Sequence, residues 1–386
     1  MSKHKLIRIT TIPNSLKSLL RGQLGYMNQF FEVIGISSQG QPLEDIKKEQ
    51  GVRVIPVTMT RVISPWQDLK SVWQLYKIFK VERPIIVHTH TPKAGTVGMI
   101  AAWLARVPNR LHTVAGLPLL EISGKKRVLL NIVEKLTYRC ATKVYSNSFG
   151  LKEIILSEKL CGPNKIKVIG KGSSNGIDTE FFSRDKVSEE TIKVLKEKYK
   201  INPLDTVFIF VGRLVGDKGI NELVAAFKQI SLKNKNSKLL LVGSLESELD
   251  PLKRETLLEM EANDRIILTG YQTDVRPFFS ISNALVFPSY REGFPNVVMQ
   301  AGAMGIPSIV SNINGCNEII DDGINGWIIE PKNEIELMYS MLNLISFNNE
   351  VKDMGTIARN IVVKKFHILT VWESIKSEYN SLIKIK

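Results

Sequence analysis

The chain of 386 residues contains only three cysteines, and they lie far apart in the sequence. Cys140, Cys161 and Cys316 therefore predict neither a disulfide framework nor a zinc site, and such usage is typical of a reducing compartment. Long apolar runs are also missing, because the best candidate, residues 94–105, is too short to span a bilayer. The first residues, MSKHKLIRITTI, lack the apolar core of a signal peptide. We expect a cytoplasmic protein.

Acidic side chains are scarce in the first half of the chain. Residues 1–183 contain 27 Lys and Arg against 12 Asp and Glu, a net charge of +15, whereas residues 184–386 contain 25 and 26, a net charge of −1. This asymmetry indicates an anionic partner, either a nucleic acid or an acidic membrane face. A solvated basic surface without a partner is the alternative. The sequence shows no nucleic-acid-binding motif and no basic stretch interleaved with aromatic residues, so nucleic acid is the weakest hypothesis.

Short apolar segments alternate with helix-length segments along the whole chain. This alternation is typical of parallel sheets covered on both faces, and it occurs twice, so we predict an α/β protein with two doubly wound, Rossmann-like domains. The predicted strands are Leu6–Thr11, Glu32–Ser37, Arg53–Val57, Ile85–Thr89, Arg110–Val114, Val144–Asn147, Lys167–Ile169, Val207–Val211, Leu239–Val242, Ile266–Leu268, Ala284–Phe287, Ser308–Val310 and Trp327–Ile329. Ligands of such sheets bind beyond the carboxyl ends of the strands, which predicts a site in the cleft between the domains.

The predicted domains cover residues 1–180 and 181–367. The polar segment 180–202 fits a helix at the hinge between them. In the first domain, the helical pattern of residues 66–79 places its apolar residues on one face. Those residues are Trp66, Leu69, Trp73, Tyr76 and Phe79.

The segment VFIFVGRLVGDKGI, residues 207–220, is a predicted strand followed by a loop and a helix that begins near Gly219. Gly212 and Gly216 allow tight backbone turns. Arg213 and Lys218 flank the loop, and a helix N-terminus with two cations is suited to bind a diphosphate. An ordinary turn with solvated charges is the alternative for this segment taken alone.

The segment REGFPNVVMQAGAMGIPSIVSN, residues 291–312, follows another predicted strand. It places Glu292 on a loop just before a helix, where the carboxylate can accept hydrogen bonds from sugar hydroxyls. Asn296 is a candidate helix N-cap, or its backbone amide can face an anion. Gln300 lies one turn further on the same side and can hydrogen-bond a ribose.

Five segments together resemble the retaining, nucleotide-sugar-dependent GT-B glycosyltransferases of family 4, which act in bacterial surface polysaccharide synthesis. They are VGRLVGDKGI at 211–220, LVFPSYREGFPNVVMQAGAMGIPSI at 285–309, GCNEIIDDGINGW at 315–327, VHTHTPKAG at 87–95 and SNGID at 174–178. The resemblance implies two Rossmann-like domains that face a cleft, with the last helix, within residues 368–386, crossing back to the first domain.

The resemblance also implies roles for individual residues. Arg213 and Lys218 would bind the donor diphosphate, and Glu292 would be the first acid of the family's pair of acids separated by seven residues. These three are the catalytic candidates. The second acid is replaced by Gln300, which retains two hydrogen-bonding functions but loses a charge, so we expect weaker donor binding. The implied nucleotide-sugar site consists of Gly212, Arg213, Lys218, Glu292, Gly293, Phe294, Pro295, Asn296 and Gln300.

A second departure lies in RLHTVAGLPLLE, residues 110–121, where the family has a histidine that contacts the donor sugar. Ala115 occupies that position, and His112 should point to the opposite face of its strand. Glu121 is a candidate replacement, with an ordinary surface acid as the alternative. Further acceptor-side candidates are Gly22, Thr91, Lys93 and Gly95.

Metal binding is not expected. The sequence contains no Asp-x-Asp triplet, and cations with helix dipoles can neutralise a leaving diphosphate without a metal ion or cofactor. His88 and His90 share one strand face, but no carboxylate or cysteine lies near them in sequence. We favour a structural or substrate-contact role for both over metal ligation.

Residues 123–139, SGKKRVLLNIVEKLTYR, predict a helix with a basic start. Its apolar stripe, Val128, Leu129, Ile132, Val133 and Leu136, is more typical of a core than of a membrane anchor. The cluster Lys125, Lys126 and Arg127 can nevertheless rest on anionic headgroups. Together with the charge of +15, this helix favours a peripheral enzyme on the inner face of the cell membrane.

The sequence thus predicts a retaining glycosyltransferase that moves a sugar from a nucleotide sugar, UDP-linked by family expectation, to a polyprenyl-diphosphate-linked glycan of a capsule, O-antigen or exopolysaccharide. A sugar-nucleotide epimerase on the same fold is one alternative, although it needs acid and base groups at the sugar ring. A non-catalytic sugar-nucleotide-binding protein is another, which the two departures leave open.

Overall fold

The computed structural model describes residues 3–60, 62, 64–117, 119, 122–246, 250–346 and 348–384. These residues form two compact units. The first comprises residues 1–176 with residues 369–386, and the second comprises residues 177–368. The boundary lies a few residues before the predicted position 180/181, and the polar segment 180–202 belongs entirely to the second unit.

The first unit contains a seven-stranded parallel sheet with the order β3-β2-β1-β4-β5-β6-β7. Its strands are β1 Lys5–Ile9, β2 Glu32–Ser37, β3 Arg53–Pro56, β4 Ile86–Thr89, β5 Asn109–Val114, β6 Lys143–Ser146 and β7 Ile166–Val168. Its helices are α1 Pro13–Leu19, α2 Gln23–Asn28, α3 Gln41–Gln50, α4 Pro65–Glu82, α5 Pro92–Leu104, α6 Gly124–Cys140 and α7 Phe149–Ser157, with the C-terminal helix, Ile368–Lys384, also packed here.

The second unit contains a six-stranded parallel sheet with the order β10-β9-β8-β11-β12-β13. Its strands are β8 Thr206–Val211, β9 Ser237–Val242, β10 Ile266–Gly270, β11 Ala284–Phe287, β12 Ser308–Ser311 and β13 Gly326–Ile329. Its helices are α8 Glu189–Lys198, α9 Ile220–Lys233, α10 Arg254–Ala262, α11 Arg276–Ser280, α12 Asn296–Ala303, α13 Cys316–Ile319, α14 Glu334–Ser346 and α15 Asn348–Phe366; the C-terminal helix is α16.

The burial of the strands explains why they could be predicted from the sequence. The central strands are apolar on both faces because helices cover both sides of each sheet, as in β8, where Val207, Phe208, Ile209 and Phe210 are all buried. Every predicted strand is present within one or two residues of its predicted bounds. The prediction of two doubly wound α/β domains is confirmed.

Helix α4 buries only part of its predicted apolar face. Its buried positions are Ser71, Val72, Leu75 and Phe79. Of the apolar residues predicted to share one face, Phe79 is buried, whereas Trp66, Leu69 and Trp73 are exposed. Within the described residues, no helix is both long and apolar enough to cross a membrane.

Candidate active site

Four loops of the second unit meet at the carboxyl edge of its sheet. They follow β8, β9, β11 and β12, which are adjacent and parallel, so their ends share one edge. The glycines of these loops allow unusually close contact. A Cβ atom on Gly243 would lie 1.8 Å from the carbonyl oxygen of Gly212, and both residues have positive φ angles. Gly243 therefore cannot accept a side chain without displacing the loop after β8, whereas a Cβ on Gly212 would lie 3.2 Å from the Phe210 ring.

Gly219 has a similar role between the β8 and β11 loops. It stands at the N-cap of α9 with a φ of +71°, and a Cβ there would lie 2.1 Å from the carbonyl oxygen of Pro288. The loop from β8 first forms a 3-10 turn, Gly216–Lys218, so helix α9 begins just after the predicted position. Lys218 directly precedes Gly219. The close contact of Gly219 with Pro288 therefore places Lys218 next to the loop that carries Glu292.

Lys218 and Glu292 form the central ion pair of this edge. The Nζ of Lys218 donates to Oε1 of Glu292 over 2.6 Å, and the two side chains are only 15% and 18% exposed. The hydroxyl of the buried Ser289 donates to the same carboxylate oxygen over 3.1 Å. A largely buried pair of opposite charges is favourable only when further hydrogen bonds satisfy it, and Ser289 provides one.

Further contacts fix the loop that carries Glu292. The amide of Tyr290 donates to the carbonyl of Asp217 over 2.9 Å, and its hydroxyl donates to Glu222 at the start of α9 over 2.8 Å. Burial and the Glu222 carboxylate raise the pKa of Tyr290. Arg291 forms an ion pair of 2.9 Å with Asp217. The loop after β11 is therefore tied to the loop after β8 by both backbone and side chains.

The loop after β12 contributes Asn314 and Cys316, which the sequence reasoning did not single out. The side-chain amide of Asn314 donates to the backbone carbonyls of Glu292 and Gly293. Cys316 is fully buried at the start of α13, and burial raises its thiol pKa well above the ordinary value, with the Glu292 charge as the second cause. The segment GCNEII marked this region as a family motif, but nothing in its composition indicated contacts with residue 292.

The other predicted donor-site residues follow strands β8 and β11 in the chain. Arg213 forms an ion pair of 3.1 Å with Glu246. Because the Arg213 side chain is about half exposed, its guanidinium remains accessible. Gly293 is half-buried, while Phe294 is buried and packs edge-on against Phe366. Gln300 is half-buried on α12. These residues all belong to the second unit, and Lys218 and Glu292 are in direct contact.

The prediction that Asn296 is the N-cap of α12 is wrong. Pro295 occupies the N-cap position of α12, and Asn296 is the first helical residue, with an exposed side chain. No side-chain cap bond is made at this helix start. The first amides of α12 therefore remain available to an anion, which is the other role the sequence allowed.

The predicted acceptor-side residues of the first unit have varied environments. Gly22 has a φ of +76°, and a Cβ there would lie 2.8 Å from the Trp372 ring. The hydroxyl of Thr91 pairs with that of Thr11 over 2.8 Å. Lys93 forms an ion pair of 2.5 Å with Asp68, and its side chain is 12% exposed. Lys93 is thus already neutralised by Asp68.

Gly95 is buried in α5 against the ring of His112, where a Cβ would lie 2.4 Å from Cε1. It is a packing position and offers no surface to a ligand. Glu121 lies outside the described residues.

The buried histidines of the first unit are held by hydrogen bonds. His88 contacts the hydroxyls of Tyr379 over 2.5 Å and Thr113 over 2.7 Å, one at each ring nitrogen. His90 contacts Arg8, and His112 contacts Thr89 over 2.8 Å. Burial lowers the pKa of all three rings, to about 4 for His112. Among the described residues, no group of three or more His, Cys, Asp or Glu side chains is arranged to hold a metal ion.

Two family models match the chain. Glycosyl transferases group 1 matches residues 191–361, and the glycosyl transferase 4-like domain matches residues 25–172. A capsular polysaccharide biosynthesis glycosyltransferase, CapM of Staphylococcus aureus, is 36% identical over 387 residues, which cover 100% of this chain and 99% of CapM. The UDP-Gal:alpha-D-GlcNAc-diphosphoundecaprenol alpha-1,3-galactosyltransferase of Escherichia coli is 31% identical over 92% of this chain and 90% of its own.

Solved structures share the fold. A glycosyltransferase from Rickettsia africae ESF-5 superposes with a TM-score of 0.82 at 21% identity, with 100% of both chains covered. Anabaena HepE in complex with UDP-glucose superposes with a TM-score of 0.82 at 18% identity, covering 98% of this chain and 100% of HepE.

Proposed function

The chain belongs to the group 1 glycosyl transferases of the GT-B fold and is a glycosyltransferase, and from this premise we propose that it is a retaining enzyme that uses a UDP-sugar. The sugar is a hexose or N-acetylhexosamine, and the acceptor is a polyprenyl-diphosphate-linked glycan of a capsule or another surface polysaccharide. The names of the CapM and E. coli relatives support this acceptor class. The epimerase alternative has no such support.

The Lys218–Glu292 pair is the observation that carries the proposal. Its two charges lie 2.6 Å apart at the sheet edge, beside the free amides of α12. In our proposal the donor diphosphate takes Lys218 as its counter-ion, and hydroxyls of the donor sugar donate to the Glu292 carboxylate that Lys218 releases. Arg213 and the amides of α12 add positive potential where charge develops on the leaving phosphate.

Retention of configuration follows from attack on the same face as the departing diphosphate, whose oxygen assists deprotonation of the acceptor hydroxyl. Glu292 then orients the sugar and does not attack it. We also propose that no metal ion is required, since the cations and helix N-terminus provide the charge stabilisation that a metal would supply. Gln300 binds the ribose in place of the usual second acid, at a cost in donor affinity.

The experiment that tests the proposal is nucleotide release. The purified protein is incubated with a panel of UDP- and GDP-sugars in EDTA, with and without a bacterial polyprenyl-diphosphate-sugar extract. The proposal predicts release that requires one UDP-sugar together with the lipid. Isomerisation of the sugar nucleotide without lipid would support the epimerase, while UDP binding without release from any pair would support the binding-only alternative.

We propose in addition that the first unit binds an anionic membrane surface through α6. The expectation that its apolar stripe is core is wrong for four positions, which are exposed, namely Val128, Leu129, Ile132 and Leu136. Exposed Lys125, Lys126 and Lys135 flank them, whereas Arg127 is half-buried and pairs with Glu158. An exposed apolar stripe with lysines beside it is suited to an interfacial position on anionic lipid.

Vesicle flotation tests the membrane proposal. The wild type is expected to float with vesicles that contain phosphatidylglycerol and much less with phosphatidylcholine alone. The Leu129→Glu, Ile132→Glu variant should lose this binding, because each substitution places a charge on the apolar stripe. A matched control, Leu232→Glu, changes a 72% exposed leucine of α9 and should bind normally. Equal binding of all three proteins would contradict the role of α6.

A further inference from the structure

Arg8 of β1 carries a fully buried guanidinium. Its side chain is 0% exposed, on an interior strand of the first unit's sheet. Its Nη2 donates to Oε1 of Gln23 over 2.6 Å, and its Nε and Nη2 lie 3.1 and 2.8 Å from Nε2 of His90. The Tyr379 ring lies 5.9 Å away. No ion pair joins Arg8 to an Asp or Glu within the described ranges, and an unpaired buried charge costs several kcal/mol.

The groups around Arg8 do not compensate its charge. Because two Arg8 nitrogens point at Nε2 of His90, that nitrogen is the acceptor and carries no proton. Burial, and then the Arg8 charge, lower the pKa of His90 well below its usual value. Burial is also the largest cause that lowers the pKa of His88 well below its usual value, with the Arg8 charge among the further causes. The two imidazoles are therefore neutral near pH 7, and Arg8 supplies one uncompensated positive charge.

A small cavity lies beside this guanidinium. It has a volume of about 20 Å³ and is lined by Arg8, Asn147 and Ser174, among others. Each of these three side chains has a buried polar atom that finds no hydrogen-bond partner among the described residues, namely Arg8 Nη1, Asn147 Oδ1 and Ser174 Oγ. The amide nitrogen of Asn147 donates to the Ala115 carbonyl over a long 3.5 Å, so rotation of the amide can turn a donor into the cavity. A space of this size holds one small ion or one water molecule.

We propose that this cavity is a binding site for one chloride-sized inorganic anion, held by Arg8 Nη1 and the hydroxyl of Ser174. A water molecule fills the same space but leaves the buried charge uncompensated, whereas an anion neutralises it. The site is distinct from the donor site because all its residues belong to the first unit.

The bound anion also stabilises the loop before residue 177. Gln23, which accepts from Arg8, donates to the Ser174 carbonyl over 3.1 Å and to Asn175 over 2.9 Å. The indole of Trp372 on α16 donates to the same Asn175 oxygen over 2.8 Å. An anion between Arg8 and Ser174 therefore joins β1, this loop and the C-terminal helix into one hydrogen-bonded group. We expect the anion to raise the thermal unfolding midpoint of the protein.

The test combines solution and crystal measurements on the full chain. The thermal unfolding midpoint is measured in chloride, bromide, phosphate and gluconate at constant ionic strength. The proposal predicts saturable stabilisation by chloride and bromide relative to gluconate. Ser174→Ala should raise the halide dissociation constant about tenfold, the order expected for loss of one hydrogen bond to a charge. Ser18→Ala, on the exposed surface of α1, should leave it unchanged. Arg8→Gln should abolish the halide effect.

A crystal soaked in bromide locates the ion, and an anomalous peak next to Arg8 Nη1 is the expected result. An adventitious ion elsewhere, a water molecule alone in the cavity, or equal stabilisation by all four anions would overturn the proposal. Stabilisation by phosphate and not by halide would also overturn it, because a phosphate is larger than the cavity. If Arg8→Gln does not fold, the Ser174→Ala comparison and the bromide position decide the question.

Discussion

The geometry of the candidate site requires a glycine at position 219, because a Cβ there would overlap the loop after β11. An alanine there must adopt a φ of +71°, which costs roughly 1–2 kcal/mol for a residue with a Cβ. Its Cβ would also lie 2.1 Å from the Pro288 carbonyl oxygen, far inside normal contact. Relief of the overlap separates the β8 and β11 loops and adds about 1–3 kcal/mol.

Gly323→Ala is the matched control for Gly219→Ala. Gly323 has the same φ of +71°, but nothing lies within 4 Å of its added Cβ. The control therefore measures backbone strain alone, and Gly219→Ala should be less stable than it by about 1–3 kcal/mol in urea unfolding. Because the overlap also moves Lys218 away from Glu292, nucleotide release should fall on the order of a hundredfold in Gly219→Ala only. Equal stability and equal turnover in the two variants would refute the reasoning.

Three further predictions concern single side chains. Glu292→Ala and Lys218→Ala should each reduce turnover a hundredfold or more in the release assay, and near-normal turnover in both would disprove the site assignment. Gln300→Glu should lower the KM for the donor by restoring a charge-assisted hydrogen bond, and an unchanged or higher KM would contradict a ribose contact. His112 has a folded pKa of about 4, below the unfolded value near 6.5, so its neutral burial favours folding above pH 6.5 and this contribution is lost as the pH falls. Between pH 7.5 and pH 5, the free energy of unfolding of His112→Asn should therefore fall by about 2 kcal/mol less than that of the wild type, as measured by urea titration. Parallel pH profiles of the two proteins would contradict the lowered pKa of His112.

The strands were predictable because parallel strands covered on both faces are short apolar runs, as in Val207–Val211 and Ala284–Phe287. The edge of the second sheet that carries the site was predictable for a related reason. Loops that follow the parallel strands of one sheet share an edge, which placed Arg213 and Glu292 at the same edge of the second sheet.

Contacts between distant residues could not be obtained from local patterns. The ion pair of Lys218 and Glu292 joins residues 74 positions apart, and its 2.6 Å distance depends on the close packing of Gly219 on Pro288. Asn314 likewise acts through the backbone of residues that are remote in sequence.

Periodicity also failed where apolar residues are exposed. Trp66 and Trp73 follow a helical spacing that is typical of a core face, yet they lie on the surface of α4. Arg8 shows the opposite case, a charged residue within an apolar strand, and nothing in the sequence indicated that it is fully buried. In both cases the burial of a side chain depends on which face of its helix or strand other elements cover. The residue pattern of a single segment does not contain this information.

The central claim is that Lys218 and Glu292 support sugar transfer from a UDP-sugar to a lipid-linked acceptor. The most direct measurement is the mass of a defined polyprenyl-diphosphate-sugar after incubation with UDP-hexoses and UDP-N-acetylhexosamines and either the wild type or Glu292→Ala. The account predicts that the wild type adds the mass of one hexose or N-acetylhexosamine from one donor, and that the variant forms this product at least a hundredfold more slowly. Product formation at equal rates by both proteins would contradict it.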